Sequence, residues 1–232
     1  MRLDKFLCEM KIGSRSQVKV YIRQGGVTVN GTVVSNPEAQ IRETEDEVCF
    51  RGKKLQYCQY VYYMLNKPKG VVSATKDNTA QTVVSLLGNR QREDIFPVGR
   101  LDKDTMGLLL LTNDGDLAHR MLTPKKHVEK TYRVTVSHPL TENDRIRLEQ
   151  GLDIGDEKPT LPAKVELKEE NVVLLTIHEG RFHQVKRMMQ AVDNQVVELE
   201  RVAFGGLVLD KGLKPGEYRA LTAEEIDSCR GL

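Results

Sequence analysis

Two carboxylates stand in one short charged loop, Gly99-Arg100-Leu101-Asp102-Lys103-Asp104-Thr105-Met106-Gly107, which runs directly into Leu108-Leu109-Leu110-Leu111-Thr112 and then Asn113-Asp114-Gly115. The unbroken apolar run predicts a buried strand that stops at the Asn-Asp-Gly turn. A carboxylate at the mouth of a core strand has rigid support beneath it and exposed oxygens, a common way to build a site.

Spacing excludes several chemistries. Asp102-x-Asp104-x-x-Gly107 matches the start of an EF-hand loop, but the fifth position is Met106 and the twelfth is Asn113, neither of which supplies the required ligand. His119, His127, His138, His178 and His183 form no His-x-x-x-His pair, and Cys8, Cys49, Cys58 and Cys229 are scattered without metal-ligand spacing, so no metal site is expected. The cysteines read as free thiols. No phosphate-binding Gly-rich loop and no Gly-x-Ser-x-Gly elbow is present. What remains is a carboxylate, tyrosines and basic groups.

With 232 residues, 39% of them hydrophobic, the chain can bury one large core or two smaller ones. No run is long and apolar enough to span a bilayer and Met1-Arg2-Leu3-Asp4-Lys5 lacks a secretory apolar segment, so the cytoplasm is the expected compartment. The net charge of +2 hides an asymmetry, because residues 2–23 hold six basic and two acidic side chains. A local positive field of that kind suits a phosphate backbone.

The elements that must carry these groups follow from periodicity. Leu3, Phe6, Leu7 and Met10 mark one face of a first helix that ends at Gly13. Ser14 and Gln17 have capping-box spacing and open a second helix, which stops at Gly25-Gly26. Arg15, Lys19 and Arg23 lie four residues apart on it and form a basic ridge. Val27-Thr28-Val29 and Thr32-Val33-Val34 flank Asn30-Gly31, a strong hairpin signal. Arg2-Leu3-Asp4-Lys5-Phe6, Ser14-Arg15-Ser16 and Gly26-Val27-Thr28-Val29-Asn30-Gly31 together resemble the small RNA-binding domain first described in a small-subunit ribosomal protein. The resemblance covers about the first fifty residues and implies that the second helix, with Arg15, Lys19 and Arg23, and the hairpin face RNA.

Residues 51–59 read as a polar connection, placing the domains at 1–57 and 58–232. The second domain opens with a strand, Tyr60 to Leu65, that ends at Asn66-Lys67-Pro68-Lys69-Gly70 and continues in Val71-Val72-Ser73. A short helix is expected over 82–87, another over 116–122, and a polar one from Glu142 to Gln150. In Lys130 to Val136, Tyr132, Val134 and Val136 share one strand face. Ala163 to Leu167, Val172 to Ile177, Val196 to Val202 and Leu207 to Leu209 complete the strands; a basic helix follows Gly180, and Thr222 caps a last short one. Connections mostly by turns predict an α+β fold, a helix-helix-hairpin module followed by a larger, mainly antiparallel sheet with flanking helices.

Gly99-Arg100-Leu101-Asp102 with Thr105-x-Gly107 to Gly115, Asn66-Lys67-Pro68-x-Gly70, Glu129-Lys130-Thr131-Tyr132 and Glu179-Gly180-Arg181-Phe182-His183-Gln184-Val185-Lys186-Arg187-Met188 resemble, in order, the motifs of the pseudouridine synthases of the RsuA type. This resemblance spans nearly the whole chain. It implies isomerisation of a uridine in folded RNA, with no metal and no organic cofactor. Asp102 matches the catalytic aspartate, acting by attack on the anomeric carbon or by removal of a ribose proton. Tyr132 matches the stacking tyrosine, and Lys186 the basic partner of the carboxylate. Arg100, Arg181, His183 and Arg187 are expected to contact RNA, and Asp104 is expected to be a turn or cap residue. The version of the Phe182 to Lys186 motif is more similar to small-subunit enzymes, which implies a uridine of 16S rRNA in an assembling small subunit, modified by a monomer. The alternatives are a 23S rRNA target, or a non-catalytic rRNA-binding or ribosome-assembly protein.

Overall fold

A computed structural model describes residues 1–55, 57–88 and 92–231. They form two compact units, Met1–Val61 with Gly88–Ile95, and Tyr62–Leu87 with Phe96–Leu232.

In the first unit, helices α1 (Leu3–Glu9) and α2 (Arg15–Arg23) precede a four-stranded sheet of β1 (Val27–Val29), β2 (Thr32–Val33), β3 (Val48–Phe50) and β4 (Lys53–Lys54), ordered β2-β1-β3-β4. The Ser14 and Gln17 capping box forms as the spacing predicts. Asn30 and Gly31 turn the hairpin with φ of 50° and 79°, the left-handed pair such a two-residue loop requires. Leu3, Phe6, Leu7, Val18, Ile22, Val27, Ile41 and Val48 make its core. The sheet runs on to Lys54, so the stretch expected as a polar connection holds a strand and its turn. Residues 92–95, with no apolar period of their own, belong to this unit through Arg92, whose buried guanidinium lies 3.0 Å from Glu9 and 5.6 Å from the centre of the Tyr57 ring.

The second unit carries β5 (Tyr62–Lys67), β6 (Phe96–Pro97), β7 (Met106–Thr112), α3 (Gly115–Leu122), β8 (Lys130–Val136), α4 (Glu142–Gln150), β9 (Lys164–Glu169), β10 (Val172–Ile177), α5 (Gln184–Ala191), β11 (Val196–Phe204), β12 (Leu207–Val208), β13 (Tyr218–Ala220) and α6 (Ala223–Arg230). Its nine-stranded sheet has the path β13-β5-β7-β11-β8-β10-β9, with β12 on β11 and β6 on β7. Every pairing is antiparallel except β7 with β11. The leucine run is interior to the sheet: Leu108 to Leu111 are fully buried and paired along their length with β5, while on the other side β11 pairs with the strand's start at Met106 and Gly107 and β6 with its end. Gly107 admits the parallel neighbour, since a Cβ there, at φ of +97°, would sit 2.3 Å from the Arg201 carbonyl oxygen. Val71 to Ser73, expected to extend β5, is no strand; Val72 makes only an isolated bridge to Thr82. The helix expected over 82–87 is a single 3-10 turn, Val84–Leu86.

Candidate active site

The Asp102 loop is fixed by its neighbours' side chains rather than by regular structure. Ser73 Oγ donates to the Leu101 carbonyl at 2.8 Å and accepts from the Leu101 amide at 3.0 Å. Lys67, the last residue of β5, is fully buried, and its ammonium donates to the carbonyls of Asp102 (3.0 Å), Thr105 (2.8 Å) and Pro68 (3.1 Å). Burial pushes the Lys67 ammonium down to about 8, with Asp104 and Asp102 pulling the other way. The loop is therefore moulded around one buried cation that satisfies its inward carbonyls. The Lys67-Pro68 pair was visible in the sequence as part of a motif; its role depends on a contact across 35 residues.

Helix α5 brings the facing groups. His183 takes left-handed angles (φ 48°, ψ 34°) as the residue before the helix, and its Nε2 lies 3.5 Å from Asp102 Oδ1. Lys186, one turn on, places its ammonium 3.2 Å from Asp102 Oδ2. The same ammonium donates to both Asp104 oxygens, at 2.7 and 2.9 Å. Asp104 is therefore not only a turn residue; the two carboxylates share one cation. Partial burial works against the Lys186 charge, but its bonds to Asp104 and Asp102 outweigh that and raise its pKa, while the Lys186 hydrogen bond holds Asp104 below the usual carboxylate range.

Asp102, Tyr132, Lys186, Arg100, Arg181 and His183 all line one cleft of about 70 Å³, with Leu101, Ile177, Val185 and Leu199 as its apolar part. Tyr132 is buried on β8, its phenol against the Arg201 guanidinium of the adjacent strand. Thr105 also lines the cleft, and its buried hydroxyl has no hydrogen-bond partner among the described residues. Phe182, 75% exposed, stacks on the His183 imidazole with ring centres 3.8 Å apart.

Two of the expected RNA-contacting arginines are committed elsewhere. Arg187 is absent from the cleft wall and donates to Asp156 (2.7 and 3.2 Å) and the carbonyls of Ile154 and Phe182. Arg181 reaches the cleft but binds Glu179 at 2.7 Å and the carbonyls of Lys158 and Pro159. Both build the turn that precedes α5. Arg100 is exposed and makes no ion pair among the described residues. In the first unit, Arg15 and Arg23 are exposed and Lys19 half-buried, with Arg15 Nε 3.6 Å from Asp4.

A sheet-rich domain with a carboxylate, an aromatic ring and cations around one cleft, joined to a small helix-and-hairpin unit, has the build of an RNA-modifying enzyme. Residues 61–191 match the RNA pseudouridylate synthase family and residues 1–48 match the S4 domain. The chain is 47% identical over 231 residues to the Bacillus subtilis (strain 168) protein named uncharacterized RNA pseudouridine synthase YtzG, covering 97% of each. It is 44% identical over 230 residues to ribosomal small subunit pseudouridine synthase A of Escherichia coli (strain K12), covering 98% of this chain and 99% of that one. A solved structure, described as the crystal structure of pseudouridylate synthase, superposes with a TM-score of 0.71 at 43% identity, covering 99% of both chains. The chain belongs to the RNA pseudouridylate synthase family. It is a pseudouridine synthase, an isomerase with an N-terminal RNA-binding S4 domain.

Proposed function

We propose that the enzyme isomerises one uridine of 16S rRNA, within an assembling small subunit, with Asp102 acting at the ribose and no metal or organic cofactor taking part. The observation that carries the chemistry is the position of Asp102, which lines a cleft with Tyr132 and has a cation or imidazole beside each oxygen, Lys186 at 3.2 Å and His183 at 3.5 Å. The small-subunit assignment leans on relatives named for that activity across nearly their full length.

The reaction balances without an oxidant or reductant. The bond from ribose C1′ to uracil N1 breaks, the base turns, and C1′ bonds to C5; the hydrogen on C5 leaves as a proton and N1 gains one. Asp102 stabilises the ribose while the base is detached, by attack on C1′ or by taking a ribose proton. Lys186 orients that carboxylate, and Tyr132 offers the flipped base an aromatic face. Arg100 and His183 contact the strand at the cleft, and Arg15, Lys19 and Arg23 bind RNA phosphates on the first unit. No helix among the described residues is long and apolar enough to cross a membrane; the enzyme works as a monomer in the cytoplasm.

The test is a pseudouridine map of rRNA from cells lacking the protein, complemented with wild type or Asp102→Asn. One 16S position should lose its modification, regain it with wild type and stay unmodified with Asp102→Asn. Restoration by Asp102→Asn would refute the role of Asp102, and a lost 23S position would move the substrate to the large subunit.

A further inference from the structure

Beside the Asp102 cleft lies a larger cavity of about 590 Å³, and the two share Arg100, Tyr132, Gly180 and Arg181 as common wall. The cavity is lined further by Lys130, Lys158 and Arg201. Its one lining carboxylate, Glu179, is taken up by the Arg181 guanidinium at 2.7 Å, the Gln184 amide at 3.0 Å and the Leu161 backbone at 3.1 Å. The remaining charge of the wall is positive.

Two of these cations are buried. Lys130 is 9% exposed and Arg201 3%. The Lys130 ammonium donates to the Val128 carbonyl at 2.6 Å; Arg201 Nε donates to the Leu108 carbonyl at 2.8 Å. Arg201 Nη2 has no hydrogen-bond partner, and no carboxylate pairs with either side chain among the described residues. Both lie over the Phe204 ring, at 5.5 and 4.7 Å from its centre. A quadrupole, two carbonyls and the Tyr132 phenol against Arg201, all neutral, stabilise one cation modestly, yet here two like charges share them. Burial and the nearby Arg201 charge push the Lys130 ammonium down to about 8. Buried cations are ordinarily paired with an anion, and the anion missing from this pair is one the protein does not itself provide.

We propose that this cavity is a subsite for the phosphodiester of the nucleotide adjacent to the target uridine, with Lys130 and Arg201 as its anion-binding pair. The proposal rests on the function proposed above, in which an RNA strand enters the Asp102 cleft. Size agrees: ligand sites run roughly 300–1,000 Å³, and the cavity of about 590 Å³ falls in that range while the cleft, at about 70 Å³, does not. A uridine drawn to Asp102 remains bonded to phosphates on both sides, and the wall shared through Arg100 and Tyr132 is where the strand can pass from one space to the other. A phosphate there also lies beside the partner of Tyr132, so strand binding would brace the stacking ring.

The test is an NMR titration of the full-length protein with uridine, inorganic phosphate and uridine 3′,5′-bisphosphate, following the Arg201 Nε–H and Tyr132 amide signals. The bisphosphate should bind about tenfold tighter than uridine, the gain expected of one charge-assisted contact, and should shift the Arg201 signal. Lys130→Met should remove that advantage and Lys130→Arg retain it. Equal binding of bisphosphate and uridine by wild type, which requires no variant to fold, overturns the proposal, as does an advantage that survives in Lys130→Met. Inorganic phosphate shifting Arg201 as strongly as the bisphosphate at equal concentration would make the cavity a free-anion site and overturn the RNA assignment. The rRNA map separates the two readings. Enzyme-dependent modification without bisphosphate preference removes the subsite alone; bisphosphate preference without any modified rRNA position removes the substrate reading.

Discussion

Lys186→Met isolates the cation that Asp102 and Asp104 share. Its ammonium is 3.2 Å from Asp102 Oδ2, with the side chains 23% and 31% exposed. At that distance Coulomb's law gives about 1.3 kcal/mol at water's dielectric constant and about 5 kcal/mol at an effective value near 20. Both groups keep solvent contact and Asp104 draws on the same ammonium, so the lower figure governs and roughly 1–2 kcal/mol is expected. If the pairing orients Asp102 for the reaction, Lys186→Met should lower kcat/KM by about 5- to 30-fold. Lys186→Arg should recover most of it. The measurement is single-turnover pseudouridine formation on rRNA taken from cells lacking the enzyme, with a melting curve to show that each variant is folded. Activity within about twofold of wild type would refute the orienting role. A loss beyond about a thousandfold would also refute it, because the ammonium would then be taking part in the chemistry itself. Asp104→Asn, at a carboxylate 69% exposed, should cost less than about fivefold, and the two substitutions together should be less than additive, since they share one partner.

Arg15→Ala, Lys19→Ala and Arg23→Ala combined should weaken RNA binding and reduce the slope of log K against log salt by up to about 0.7–0.9 for each phosphate that is no longer neutralised; an unchanged slope in a filter-binding series would exclude the ridge. Arg187→Ala should lower the melting temperature by several degrees, because the Ile154 and Phe182 carbonyls lose a donor at about 1 kcal/mol each, while the salt slope of RNA binding stays where it was. Lys130, held at about 8 against 10.5 for a free lysine, has its folded value below its unfolded one, so the unfolded chain binds more protons between them and this group makes stability rise with pH, by up to about 3 kcal/mol over that window. Urea midpoints at about pH 8 and about pH 10 should show that rise in wild type and a smaller one in Lys130→Met, which should also be the more stable protein at the lower pH.

Local chemistry was legible wherever it alone decides the structure. The Ser14 and Thr222 capping boxes, the Asn30-Gly31 turn and the polar helix from Glu142 to Gln150 stand where spacing puts them. The strands that spacing missed, β3, β4, β6 and β13, are two or three residues long, too short to show a period; β13 exists because Tyr218 pairs with Leu65 from a distant part of the chain. The site divides in the same way. Spacing alone leaves Asp102 and Asp104 equivalent; the family resemblance gives Lys186 to Asp102 and leaves Asp104 as a turn or cap, and only the fold shows Lys186 reaching both.

Lys130 was nonetheless readable in principle. It shares the face of Tyr132, Val134 and Val136, all buried, so it is a charge at an inward position, whereas Arg201 follows buried Leu199 by two residues on a strand whose alternation is broken by bulges on both sides of that pair. Period-two alternation places such a residue inward as firmly as it places a valine. A cation there destabilises the free protein, and replacing it with an apolar side chain of similar length should relieve that cost. Two such cations side by side, against one aromatic ring and one cavity wall, put the cost where a phosphate would offset it. A gain in stability for Lys130→Met accompanied by a loss of bisphosphate binding would show stability and substrate recognition opposed at a single side chain.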